Sequence, residues 1–316
     1  VTGASGFIGR QCLHALREYG FESHALSSRL DDEMADGIVW HRANLLDPAE
    51  LDRVVGEVEA DLLLHLAWYA TPGVFWTSLE NYRWVAASLQ LFRAFAEAGG
   101  RRIVAAGSCA EYDWSAGVCS EHTPLDPQSP YGVCKAALHN MLESFARRVG
   151  ISAAWGRVFF TFGPHENPSR LVAGITSALL RGSAAPCSEG TQARDFLHVS
   201  DIGDAFAALL ASDVAGAVNI ASGEAISVRD LVEMIAARTG GRELLRFGAV
   251  PLSPNEPPLI VADVSRLRDE LKWAPRVSLI ERIDGTIEWW RAVLNAGSAG
   301  VVTGDQLPPA RMRVSP

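Results

Sequence analysis

At 316 residues, 48% hydrophobic and 21% charged, the chain has the make-up of a soluble globular protein with room for one large domain or two of ordinary size. Its net charge of −9 excludes a general positive field for nucleic acid, so any anionic ligand must be held by a few local basic groups and helix ends. No apolar run has the length of a membrane span, no signal peptide is visible, and five scattered cysteines with no CxxC pair point to reduced thiols in a cytoplasm, with neither a disulfide frame nor a metal site.

In chain order, VTGASGFIGR opens with a scrap of strand and a turn carrying Gly3, Gly6 and Gly9. A buried first strand needs more apolar residues ahead of Val1, so the natural chain is expected to begin upstream. GFIGRQCLHALREYG has helical spacing and stops at Gly20, ESHAL and IVWHRANL read as short strands, and DPAELDRVVGEV starts a helix with Asp47 as N-cap and Pro48 behind it. DLLLHLA is a continuously apolar strand of the kind covered on both faces. SLENYRWVAASLQLFRAFAEAGG reads as a long helix, RRIVAAGS as a strand, YGVCKAALHNMLESFARRVG as a helix and ISAAWGRVFF as a strand. This alternation predicts an α/β fold, a doubly wound, Rossmann-type parallel sheet. Past residue 165 the rhythm loosens through a helix at LVAGITSALLRG, the strand-like DFLHV, a helix at DIGDAFAALLAS, a strand at AVNIA and a helix near 227–238. The expected division is a dinucleotide-binding domain of 1–164 plus about 200–221, a smaller C-terminal α/β lobe of about 165–199 and 222–295, and a loose tail over 296–316.

A strand-to-helix turn built of small residues lets backbone N–H groups approach a pyrophosphate, which makes Gly3, Ser5, Gly6, Phe7, Ile8 and Gly9 candidate cofactor contacts. At the end of the second strand an acid would suit a ribose 2′-hydroxyl and an arginine a 2′-phosphate. Ser27, Ser28 and Arg29 stand there, with Asp31 and Asp32 only later, so NADP(H) is favoured over NAD(H); the alternative is that Arg29 is a solvated loop residue.

Tyr131 and Lys135, four apart on a helix, share one face. A nearby ammonium favours a phenolate, and lowering a phenol by three pH units takes about 4 kcal/mol of differential stabilisation, expected from a close charge in a partly dry cleft together with a cationic nicotinamide ring. The pair then suits general acid–base work. Ser108, at the carboxyl end of a strand, is placed to donate to a carbonyl or alkoxide oxygen, or else to cap a turn. Trp68, Tyr69, Phe75 and Trp76 in HLAWYATPGVFWTS suit stacking on a sugar face and, equally, packing beneath a loop. His65, on an apolar strand, reads as a satisfied core histidine.

In this order, TGASGFIG, HLA, Asn81, GSCAEY, YGVCK, FGP, RDFLHVSD and VNIASGE resemble the extended short-chain dehydrogenase/reductases, the nucleotide-sugar epimerase, dehydratase and ketoreductase family. The resemblance implies that Tyr131 exchanges a proton, that Ser108 orients the substrate oxygen and that Lys135 also holds the nicotinamide ribose. It implies adenine contacts at Asn44 and Leu45, cofactor contacts at Leu66, Ala67 and Trp68, and a substrate diphosphate held by Arg194 with Arg170 nearby. It also implies a homodimer through a four-helix contact of the helices around 78–98 and 131–149. Cys109 and Ala110 replace the acid pair of the 4,6-dehydratases, Ala110 and Ser169 replace the Cys and His of the GDP-fucose-type epimerase-reductases, and Phe160 replaces a common Asn. The expectation is therefore an NADPH-dependent reductase of a nucleotide-linked keto-sugar, at C4 of a 4-keto-6-deoxyhexose. A NAD⁺-dependent C4 epimerase is the alternative, and a non-catalytic dinucleotide sensor the third reading.

Overall fold

The structure, a computed structural model, describes residues 1–28 and 37–299. After the glycine turn come α1 (Phe7–Glu18), β1 (His24–Ser27), β2 (Val39–Arg42), α2 (Pro48–Val58), β3 (Leu62–His65), α3 (Glu80–Glu97) and β4 (Arg102–Ser108). The chain continues through β5 (Val118–Cys119), α4 (Pro130–Val149), β6 (Ser152–Val158), β7 (Phe160–Phe162), α5 (Leu171–Leu180), β8 (Ala185–Pro186), β9 (Ala193–His198), α6 (Val199–Ala211) and β10 (Gly216–Ile220). The last elements are β11 (Ala225–Ser227), α7 (Val228–Thr239), β12 (Leu245–Arg246), β13 (Leu259–Ala262), α8 (Ser265–Asp269) and α9 (Leu279–Ala299). Local chemistry sets several of these limits. The Asp47 carboxylate accepts from the Ala49 and Glu50 amides ahead of α2, and Ser129 accepts from the Gly132 amide to start α4, which Gly150 ends at a φ of 80°. α9 reaches Ala299, beyond the start expected for a loose tail.

β3, β4, β6 and β10 form a parallel sheet, and Thr2 bridges both Leu26 of β1 and His65 of β3, which adds β1 and β2 on the far side. Consecutive strand residues diverge to opposite faces. Leu64, Val104 and Ala154 pack under α1 and α6 with Cys12, Leu16 and Phe206, while Leu63, Ile103 and Trp155 pack under α2, α3 and α4 with Leu51, Phe92 and Leu138. A sheet covered on both faces needs that unbroken apolar run. The order of strands reverses at Thr2, and such a switch point leaves a crevice at the carboxyl ends of the strands.

The smaller C-terminal lobe has its own core of Phe162, Ile175, Phe196, Leu231, Ile235 and Ile283 between α5, α7 and α9. Its sheet runs β11–β9–β13–β5, with β7 beside β9, so that Arg194 of β9 faces the end of the main sheet's crevice. The architecture is a Rossmann-type parallel α/β fold with a smaller C-terminal lobe. Among the described residues no helix is long and apolar enough to cross a membrane.

Candidate functional site

The glycine turn is built for close approach. Gly3 has a φ of +67°, and a Cβ there would lie 2.7 Å from the Ala67 nitrogen; a Cβ on Gly9 would lie 2.1 Å from the Gly3 carbonyl oxygen. The Gly6 amide donates to that same oxygen at 3.0 Å, and Gly6 is the N-cap of α1 with no side chain over the helix end. The first amides of α1 thus have no side-chain cap and no acid beside them, as an anion seat requires.

The cofactor, catalytic and substrate residues selected from the sequence, apart from Arg29, border one cleft of about 840 Å³ that runs from this turn to Arg170 and Arg194; of the aromatic segment, Trp68, Phe75 and Trp76 line it and Tyr69 does not. Arg29 lies outside the described residues. Ser27 is buried, and its hydroxyl lies 2.9 Å from that of Ser5, while Ser28 and Asn44 sit exposed at the cleft's edge.

On the floor, Ser108 closes β4 and Lys135 projects from α4, its Nζ donating to the Ala106 carbonyl at 2.8 Å and standing 3.8 Å over the Trp68 ring. Burial draws Lys135 down to about 7, against the raising influence of Glu111. Tyr131 is held by its amide, which donates to the Trp76 carbonyl at 3.1 Å, and by the edge-on rings of Phe75 and Trp76 at 4.9 and 5.4 Å. The chain's own groups do not by themselves lower the phenol. Enclosure by protein pushes Tyr131 up, and the side chains that oppose this are Ser108 and Arg170, because the ammonium is turned to Ala106 and Trp68.

Asn81 explains how the aromatic segment is held. Its Oδ1 accepts from the Trp68 indole at 2.8 Å, and its amide nitrogen donates to the Phe75 and Ser78 carbonyls at 2.7 and 2.8 Å. His65 spans Thr2 and Ser88 at 2.7 and 2.9 Å, and burial holds it down at about 3, so it is neutral.

At the far end, buried Arg194 pairs with Glu256 and lies over the Phe160 ring, while Arg170, about two-fifths exposed, pairs with Glu166 at 3.1 Å. Among the described residues, Arg194 Nε and Glu256 Oε2 are buried without a hydrogen-bond partner. Sequence reasoning missed Glu256, and it missed the pair beneath Ser108. There Glu111 and Arg157 meet at 2.8 Å, both fully buried. The available signal was Arg157 itself, a charge inside the apolar strand WGRVFF, which folding must satisfy with a partner. The five cysteines are buried and unpaired, and burial pushes the Cys109 thiol up.

Comparison with known proteins agrees with this geometry and corrects two expectations. The NAD dependent epimerase/dehydratase family matches residues 1–221. The UDP-glucose 4-epimerase of Azospirillum brasilense is 28% identical, with 96% of this chain and 95% of that protein covered. MoeE5, solved in complex with UDP-glucose and NAD, is 32% identical with a TM-score of 0.81, covering 93% of this chain and 98% of its own. The UDP-glucose 4-epimerase of Thermotoga maritima, at 23% identity, has the same fold with a TM-score of 0.83 over 93% of this chain and 98% of its own. The expected preference for NADP(H) is overturned by NAD in MoeE5; in physical terms, the Ser27 hydroxyl that was to receive a 2′-phosphate is engaged with Ser5. The expected NADPH-dependent reduction falls with it, since three curated relatives that match over more than nine-tenths of both chains are UDP-glucose 4-epimerases. The chain is an enzyme of the NAD(P)-dependent oxidoreductase and epimerase type, and it belongs to the NAD dependent epimerase/dehydratase family.

Proposed function

We propose that the chain is a NAD⁺-dependent C4 epimerase of a UDP-hexose, with Ser108, Tyr131 and Lys135 as the catalytic group. The observation that carries this reading is that these three side chains share a cleft with the glycine turn at one end and Arg170 and Arg194 at the other. The turn suits the dinucleotide: Gly3 and Gly9 leave no room for a Cβ, and the end of α1 is uncapped. Gly3, Ser5, Gly6, Phe7, Ile8 and Gly9 would hold its pyrophosphate, Ser27, Ser28, Asn44 and Leu45 its adenosine, and Leu66, Ala67 and Trp68 the neighbourhood of the nicotinamide. When bound, the nicotinamide ring would supply the reversible two-electron exchange with the sugar carbon.

The chain's own groups manage the proton and the geometry. Tyr131 takes the proton of the C4 hydroxyl and later returns it, and Ser108 donates to the same oxygen. Enclosure keeps the phenol protonated until positive charge gathers in the cleft, and Tyr131 would take the proton as the phenolate formed then, while Lys135, one helical turn along, is turned to Ala106 and Trp68. Arg170 and Arg194 would hold the diphosphate, Arg194 exchanging Glu256 for phosphate oxygens. Trp68, Phe75 and Trp76 offer apolar faces to the sugar. Loss of water is disfavoured because Cys109, its thiol held neutral, and Ala110 put no free carboxyl beside the Ser108 hydroxyl, while Glu111 is tied to Arg157.

A homodimer forms through α3 and α4 in this reading, supported by exposed Tyr82, Val133 and Met141 on their outer faces. The smaller lobe, about 165–199 and 222–295, takes the nucleotide sugar. The test is to incubate purified chain with UDP-galactose or UDP-glucose without added reductant and follow the anomeric proton signals. Interconversion that is lost in Tyr131→Phe supports the reading. Interconversion of neither sugar, with NAD⁺ supplied, overturns it.

A further inference from the structure

Directly under the cleft floor, fully buried Glu111 has every contact of a built feature and no part in the chemistry above. One carboxylate oxygen accepts from the Ser108 amide at 2.8 Å and from the Trp155 indole at 2.9 Å, and the other accepts from Arg157 Nε at 2.8 Å. Arg157 goes on to donate to the Tyr112 hydroxyl at 2.9 Å and to His139 Nδ1 at 3.2 Å, and Tyr112 donates to Asn219 at 2.6 Å. The Trp155 ring lies 5.8 Å from the Lys135 ammonium, whose hydrogen bond to Ala106 ends two residues before Ser108. Gly107, between them, has no room for a Cβ, which would lie 2.1 Å from the Trp155 nitrogen and 2.7 Å from Glu111.

We propose that Glu111 is a positioning residue that fixes the Ser108 backbone and supplies, from the protein interior, the counter-charge that holds Lys135 as an ammonium. The proposal rests on the assignment of Ser108 and Lys135 made above. A desolvated amine favours its neutral form, and Glu111 is the foremost group opposing that loss of charge at Lys135. Lys135 is otherwise faced by Cys134 from its own helix and by neutral His65 from β3. Glu111 is faced by Arg157, whose charge offsets part of its field, and by His139, held neutral by burial, and Tyr112, held neutral likewise.

Lys135 and Lys272 are the two lysines of the chain, so protein labelled with ¹³C and ¹⁵N in lysine gives two side-chain resonances, which Lys272→Arg assigns. In the full chain Lys135 should titrate at about 7. Glu111→Gln keeps an acceptor for Ser108 and Trp155 but removes the charge, and should lower the Lys135 midpoint by about one pH unit, roughly tenfold less ammonium at a given pH. The kcat–pH profile should move in the same direction. Should Arg157, left without its carboxylate, keep that variant from folding, Glu111→Gln combined with Arg157→Gln should move the midpoint in the same direction by less, about half a pH unit, because the opposing charge goes too. A Lys135 midpoint within about 0.3 unit of the parent, in either folded variant, overturns the proposal, since a role in packing alone moves no lysine. The titration needs no substrate, so an inactive parent would count against the epimerase reading only.

Discussion

Gly9→Ala is the sharpest perturbation of the glycine turn. The added carbon would stand 2.1 Å from the Gly3 carbonyl oxygen and 2.8 Å from both Cα and O of Ala4, all of them backbone atoms that no rotamer can move aside. Carbon and carbonyl oxygen settle at about 3.3 Å or more, so the turn and α1 must part by about 1 Å. Such overpacking costs about 1–3 kcal/mol. The hydrogen bond from Gly6 to Gly3, 3.0 Å long, is disturbed as well, which adds about 0.5–1.5 kcal/mol. A 1 Å displacement at an anion seat is worth about a hundredfold, so titration calorimetry should find NAD⁺ binding weaker by about that factor and thermal scans a lower Tm. Gly56→Ala in α2, where a Cβ meets nothing within 4 Å, is the control; it should leave NAD⁺ affinity intact and add up to about 1 kcal/mol of stability. NAD⁺ affinity within about threefold of the parent in Gly9→Ala, with an unaltered Tm, would refute the reasoning.

Tyr131→Phe removes the phenol oxygen while the ring contacts with Phe75 and Trp76 remain, and kcat should fall by about 10²–10⁴ with NAD⁺ affinity unchanged; a loss under tenfold in steady-state assays would remove Tyr131 from the proton path. His65, held at about 3 when folded, titrates near 6.5 in the unfolded chain, so below pH 6.5 the unfolded state alone binds this proton. Its contribution is complete above pH 6.5 and is lost as pH falls toward 3, by about 1.4 kcal/mol per pH unit. Urea midpoints at pH 7 and 5 should therefore fall less steeply in His65→Gln than in the parent, and equal slopes would contradict the assignment. Replacing exposed Met141 and Tyr82 with arginine should turn a dimer into a monomer in sedimentation with the fold retained, whereas a parent that already sediments as a monomer would exclude the α3–α4 contact.

Alternating apolar strands and capped helices were legible in the sequence because they are local: a period, a cap residue or a glycine acts on its own few neighbours. The glycine turn and the Tyr131–Lys135 spacing belong to that class, whereas Glu256, which also borders the cleft, meets its partner Arg194 across 62 residues and was missed. Cofactor choice did not follow from Ser27 and Ser28, because one hydroxyl turned inward to Ser5, a contact made across 22 residues. Nor did the state of the phenol, since burial raises it and the lysine one turn away is turned to Ala106 and Trp68. Glu111 and Arg157 stand 46 residues apart in the chain, and only the register that sets Gly107 opposite Arg157, β4 beside β6, brings them together under Ser108. Charges buried at a distance in sequence take their partners and their protonation from tertiary packing, where desolvation is decided, and no local pattern encodes that.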